Sequence, residues 1–101
     1  MKIYIASPYT NGDQAANVRV QLEAMHLLMK AGHLPFAPLL SHFAQIVYPK
    51  LYNDWMIYDM GWLEACDAVL RLPGESPGAD LEVKHAELLK IPVYYLINDL
   101  C

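Results

Sequence analysis

Hydrophobic and polar positions alternate between short apolar runs and longer periodic stretches. Residues 2–6 (KIYIA) are apolar and β-branched and lead into the turn formers SPYTNGD at 7–13, the pattern of a buried strand followed by a loop. From Gln14 to Ala31 the period changes. Val18, Leu22, Met25, Leu28 and Met29 recur three and four apart, which predicts an amphipathic helix with Asp13 as N-cap and Gly32 as its stop. Residues 33–37 (HLPFA) read as a second short strand. The stretch 38–53 is long, irregular and bracketed by prolines, with room for a helical turn. In a small chain such a connection is more often functional than idle. A helix is expected from Asp54 to Ala65, with Trp55, Tyr58, Trp62 and Leu63 on one side. A third strand follows at 67–72, a loop PGESPG, a third helix from Ala79 to Leu89, and a fourth strand at 92–97.

Strands alternating with helices predict an α/β fold: a single small doubly wound parallel sheet, flavodoxin- or Rossmann-like, with helices on both faces. The expected strand order is 2-1-3-4, in one domain spanning residues 1–101. Ligands of such sheets bind beyond the carboxyl ends of the strands. That edge collects residues 7–13, 38–42 and 73–80.

Composition narrows the function classes. The 101 residues are 55% hydrophobic and 18% charged, which argues for a packed domain and against disorder. The net charge is −4, and the seven Lys and Arg are dispersed, so no basic patch marks a nucleic-acid partner. Cys66 and Cys101 make no disulfide framework and no metal-ligand spacing, and no metal is implied. No apolar run is long enough for a membrane span, and no leader is evident. The expectation is a cytoplasmic protein with no membrane partner. Excess apolar surface on so small a domain points to a homodimer or higher homo-oligomer.

The loop and helix start at 73–82 (PGESPGADLE) are the richest in chemistry. Gly78 lets a backbone approach a ligand, the helix N-terminus favours an anion, and Ser76 adds a hydroxyl. Glu82 points toward the same crevice. Equally, Asp80 and Glu82 would complement the helix dipole without any ligand. The loop is neither a Walker A motif nor GxGxxG. Asp54 reads as an N-cap. Asp59 lies mid-helix, where it is either solvent-exposed or turned into the crevice as an acid/base or hydroxyl-binding group. Asp67 reads as a turn or edge residue. His42 sits in the long loop beside Ser41, either structural or facing a ligand; adjacent residues do not make a nucleophile pair. Tyr4, Tyr94 and Tyr95 read as packing residues. Tyr9, beyond a strand end, either stacks on a base or covers the sheet.

Taken together, the pattern resembles the nucleoside 2-deoxyribosyltransferase-like superfamily. Ile3-Tyr4-Ile5-Ala6-Ser7 with Pro8-Tyr9 is similar to its first strand and substrate loop. Asp59, eight residues before Asp67-Ala-Val-Leu, is similar to its helix aspartate and third strand. Ser76-Pro-Gly-Ala-Asp-Leu-Glu82 resembles the loop ending in the family's glutamate, and residues 85–93 its closing helix and strand. The fit spans residues 2–97. The segments NDWM and CDAVLRLPGxSxGADxE more narrowly resemble its DUF4406-type branch, related to 2′-deoxynucleoside 5′-phosphate N-hydrolases.

The resemblance implies cleavage or transfer of an N-glycosidic bond on a (deoxy)nucleoside or nucleoside 5′-monophosphate. Glu82 would be the nucleophile, forming a covalent glycosyl-enzyme, and Asp59 the second catalytic carboxylate, contacting sugar or base. Ser7, Tyr9, His42, Ser76, Gly78 and Asp80 would bind substrate, with no cofactor. Two departures stand out. Residues 8–12 lack the arginine that follows the first-strand serine in the nucleotide hydrolases, and Val83-Lys84 replaces the glycine after "EL". The resemblance also implies that a residue near the C-terminus, Asn98 or Asp99, completes a neighbouring subunit's site. Two other readings remain: a non-catalytic nucleotide-binding or signalling module on the same fold, and a subunit whose aromatic segment (Tyr48, Tyr52, Trp55, Met56, Trp62) is chiefly an oligomer interface.

Overall fold

Side chains alternate across a strand, so Lys2–Ala6 (β1) sends Ile3 and Ile5 to one face and Tyr4 and Ala6 to the other. Those two faces organise everything else in the computed structural model, which describes residues 1–101. The elements that follow β1 are α1 (Gln14–Lys30), β2 (Leu34–Phe36), a 3₁₀ turn (Pro38–Ser41), α2 (His42–Val47), α3 (Tyr52–Glu64), β3 (Ala68–Arg71), α4 (Pro77–Leu88) and β4 (Val93–Tyr94). A last 3₁₀ turn spans Ile97–Asp99. The sheet is parallel with the order β2-β1-β3-β4, as the alternation of strands and helices predicts. β1 and β3 are central, and β3 is buried at every position. No helix is long and apolar enough to cross a membrane.

On one face Ile3, Ile5, Ala68 and Leu70 pack with Ala24 and Leu28 of α1 and with Leu100. On the other, Tyr4, Ala6 and Val69 meet Leu63 of α3 and Ala79 and Ala86 of α4. Aromatic stacking extends this second face: Phe36 lies between Tyr4 and Trp62, at 5.6 Å and 5.3 Å between ring centroids.

The structure corrects several expectations. α1 does carry Asp13 as N-cap, accepting from the backbone N–H groups of Ala15 and Ala16. Its buried stripe, however, is Gln21, Ala24 and Leu28, with Met29 57% exposed. Gln21 is tolerated inside because both ends of its amide find hydrogen-bond partners there, which offsets the cost of burying a polar group. α3 begins at Tyr52, so Asp54 is not the N-cap. It lies in the first turn and accepts from the Leu51 N–H at 3.3 Å. α4 begins two residues early, at Pro77, because Ser76 caps it. The fourth strand pairs with β3 over Val93 and Tyr94 alone. Tyr95 lies beyond that pairing and is exposed rather than packed. Asp67 lies in the bend before β3, as the turn reading expects, and accepts from the Lys2 N–H at 2.8 Å.

Candidate functional site

A cavity of about 770 Å³ opens at the carboxyl edge of the sheet. The chain leaving β1 contributes Ser7, Tyr9, Thr10 and Asn11. The turn and helix after β2 contribute Pro38, Ser41, His42 and Gln45. The loop after β3 and the start of α4 contribute Ser76, Gly78, Ala79 and Glu82. α3 closes the remaining side with Tyr52, Trp55, Met56 and Asp59. The structure thus gathers Ser7, Tyr9, His42, Asp59, Ser76, Gly78 and Glu82, drawn from four separate stretches of sequence, around one hollow.

Asp80 is not among them. Its carboxylate pairs with the Arg71 guanidinium at 3.0 Å and faces solvent. Asp80 and Glu82 are two residues apart on a helix and so cannot share a face. Asn98 and Asp99 are exposed in the last turn, away from the cavity lining.

Glu82 occupies the buried stripe of α4, between Ala79 and Ala86 at helical spacing. Small neighbours let α4 sit close to the sheet, and the carboxylate meets the Tyr4 hydroxyl, which donates to Glu82 Oε2. Burial pushes the Glu82 carboxyl up to about 7; the Tyr4 hydrogen bond and Arg71 oppose that shift, and the Asp59 charge adds to it. Burial, then the charges of Glu82 and Asp59, raise the Tyr4 phenol far above its ordinary range, so it remains a hydroxyl donor. Asp59 is likewise raised to about 7 by burial, and its Oδ1 is buried with no hydrogen-bond partner. Two carboxyl groups that share a hollow and titrate near neutrality suit proton transfer and nucleophilic attack.

The surrounding frame is tied down by hydrogen bonds. Gln21 donates to Ile5 O at 3.2 Å and to Ser7 Oγ at 2.7 Å, and accepts from the Leu39 N–H at 2.8 Å. It therefore joins the end of β1 to the 3₁₀ turn that follows β2. Asn17 Nδ2 donates to the carbonyls of Tyr9 and Asn11, both at 2.8 Å, and Asn11 Nδ2 donates to Glu75 O at 2.9 Å. Gly74 adopts φ +117, and a Cβ there would stand 2.7 Å from Pro8 Cγ. Only glycine allows the β1 and β3 loops to approach so closely. Across the cavity mouth the Tyr9 hydroxyl meets His42 Nδ1. Trp55 Nε1 donates to Gln45 Oε1, and Gln45 also bonds both backbone groups of Lys50, fixing the α2–α3 connection.

Three of these residues escape the sequence reading. Tyr4 packs as expected, but its hydroxyl also holds Glu82. The legible signal was parity: Tyr4 shares a strand face with Ala6, opposite the Ile3/Ile5 face. Gln21 and Arg71, to which the sequence reading gives no role, are both buried. A Cβ at Gly78 would stand 2.9 Å from the Tyr52 hydroxyl, the end of an exposed side chain. No group of three or more His, Cys, Asp or Glu side chains lies close enough to hold a metal ion.

Residues 1–96 match DUF7768, a domain of unknown function. The chain belongs to the DUF7768 family. The family differs from the DUF4406 type that residues 53–56 and 66–82 resemble. No curated protein matches this DUF7768 chain. Among solved structures, it is similar to a 2-deoxyribosyltransferase from the psychrotolerant bacterium Bacillus psychrosaccharolyticus. The identity is 24% and the TM-score 0.62, over 92% of this chain and 69% of that one. The DUF7768 chain therefore shares the fold of that transferase.

Proposed function

We propose that residues 1–101 form one nucleoside deoxyribosyltransferase-like domain that breaks the N-glycosidic bond of a (deoxy)nucleoside. The observation that carries this reading is Glu82, buried on α4, held by the Tyr4 hydroxyl and facing a cavity it shares with Asp59. The likeness in fold to a 2-deoxyribosyltransferase supports it.

In the first step a Glu82 oxygen attacks C1′ as the C1′–N bond breaks, and the bond pair leaves with the base. Asp59, protonated near neutral pH, supplies a proton to the departing base or a hydrogen bond to the sugar. The transition state is oxocarbenium-like, and the carboxylate opposite it stabilises the developing charge. In the second step water or a second base attacks C1′, its proton passes to Asp59, and the C1′–O bond breaks to return Glu82 as a carboxylate. Tyr4 is a positioning residue: by donating to one Glu82 oxygen it orients the other. Tyr9, His42 and Trp55 offer aromatic surface for the base.

The test is free-base release from a panel of nucleosides, with and without a second base, by wild type and Glu82→Ala. Release lost in the variant is expected, and acceptor dependence separates transfer from hydrolysis. Release that persists in Glu82→Ala overturns the mechanism. Tight nucleoside or nucleotide binding with no release by wild type favours the non-catalytic binding module instead.

A further inference from the structure

We infer that Arg71 is a positioning residue for the site: its buried guanidinium locks the loop between β3 and α4 and supplies a positive charge on the sheet face against which Glu82 packs. The consequence for turnover rests on the glycosidic reading. The lock itself stands on geometry.

An arginine is seldom buried unless it is paired, because a guanidinium loses its hydration there. Arg71 is the last residue of β3, and its side chain is only 10% exposed. Its direction follows from parity. Val69 faces α3 and α4 together with Tyr4 and Ala6, so Arg71, two residues on, faces the same way. Its register partner on β1 is Ala6, a neighbour small enough to leave room for the longer side chain. The guanidinium then spans the turn that follows. Nη1 donates to Leu72 O, and Nη2 donates to Gly74 O at 2.9 Å and to Asp80 Oδ1 at 3.0 Å. One side chain thus ties the end of β3, the middle of the loop and the first turn of α4. Ser76 lies inside that closed span. It lines the cavity and caps α4, its Oγ accepting from the Ala79 N–H at 3.1 Å. Holding Asp80 against β3 sets the rotation of α4 about its axis, and with it the direction of Glu82, two residues further on.

The charge acts on the same carboxylate. The groups that face Glu82 are the Tyr4 hydroxyl from β1, Asp59 from α3 and Arg71 from β3. Burial and the Asp59 charge favour the protonated carboxyl, whereas the Tyr4 hydrogen bond and Arg71 favour the ionised one. Arg71 is the cation in that set. Asp80, its side chain 71% exposed, holds the guanidinium from the solvent side and offsets part of its charge. An apolar side chain of similar volume would fill the space with no buried charge to satisfy. Stability alone therefore gives no reason for an arginine at this position, whereas a carboxylate that must ionise beside it does.

The experiment compares wild type with Arg71→Gln, Arg71→Lys and Asp80→Asn by three readouts. These are the Glu82 carboxyl titration by carbon NMR, hydrogen exchange of the Ala79 and Asp80 amides, and the acid limb of kcat/KM for base release from a 2′-deoxynucleoside. Arg71→Gln is expected to move the titration and the limb toward alkaline pH by about one pH unit, which lowers base release at pH 6 about tenfold. Asp80→Asn is expected to move both toward acid pH, because the guanidinium loses its counter-charge. Arg71→Lys keeps the charge and hence the titration, but an ammonium on a flexible stem does not reproduce the planar fork. Its amides are expected to exchange faster and its kcat to fall. A role confined to holding the fold would speed exchange in all three variants and leave the titration in place. An unmoved titration in Arg71→Gln, movement to alkaline pH in Asp80→Asn, or unchanged exchange in Arg71→Lys overturns the inference. If Arg71→Gln does not fold, the other two variants decide by the same criteria, and an unmoved titration in Asp80→Asn then also overturns it. If wild type releases no base, the glycosidic reading fails, and titration and exchange alone judge Arg71.

Discussion

At the scale of single residues, the pair Tyr4 and Glu82 illustrates how burial sets chemistry. A carboxylate removed from water resists ionisation, and one phenolic hydrogen bond only partly offsets that. Tyr4→Phe removes the donor and leaves the ring packed against Phe36. The expected result is a fall in kcat of about 10- to 100-fold with little change in KM, the size of a misplaced catalytic group. Single-turnover base release checks it. The proposed mechanism needs Glu82 ionised and Asp59 protonated, so base release is expected to rise through the acid limb and fall through the alkaline one. With both groups near 7, kcat/KM is expected to trace a narrow bell centred close to neutrality. Asp59→Asn removes the alkaline limb if Asp59 is the acid; an unchanged profile in that variant assigns the limb to another group.

At the scale of elements, the site depends on connections rather than on the strands themselves. Gln21 is the clearest case: one side chain on α1 fastens the end of β1, the Ser7 hydroxyl and the start of the 38–41 turn. Gln21→Met fills the volume but strands those partners. It is expected to cost about 1–3 kcal/mol, read as a lower denaturant midpoint at unchanged slope. The β1 and β3 loops meet at Gly74 and Pro8, where a side chain has neither the space nor the backbone conformation. Gly74→Ala is expected to destabilise by about 1–3 kcal/mol and to reduce base release, because Ser7 and Ser76 stand at the ends of the same loops.

At the scale of the whole molecule, a raised carboxyl pKa is also a statement about stability. Glu82 titrates near 7 when folded and near its ordinary 4.5 when unfolded, so between those values the folded state holds more protons. Stability therefore falls as pH rises through that window, by on the order of 2–3 kcal/mol for Glu82 at ~1.4 kcal/mol per unit. The expected melting temperature is lower at pH 8.5 than at pH 5, by roughly 10 °C for a chain of this size. Glu82→Gln should shrink that difference and melt higher than wild type at pH 8.5. An equal fall in both proteins would show that Glu82 does not sit buried in the folded chain.

Much of this was legible before any coordinates. The two periods, about two in strands and 3.6 in helices, announce a parallel α/β sheet, and right-handed crossovers leave few strand orders to choose from. Turn formers after each strand mark the ligand edge, and the 73–82 loop and helix start already bring Glu82 near it. Local pattern determined these because backbone geometry and apolar burial act over a few residues. The tertiary structure alone decided the rest. It put the Tyr4 hydroxyl on Glu82 across 78 residues of sequence, turned Asp80 away to Arg71 and drew Gln21 inside. Each of these depends on which side chain meets which across the sheet edge. Partner choice there is set by packing in three dimensions, which no spacing along the chain encodes.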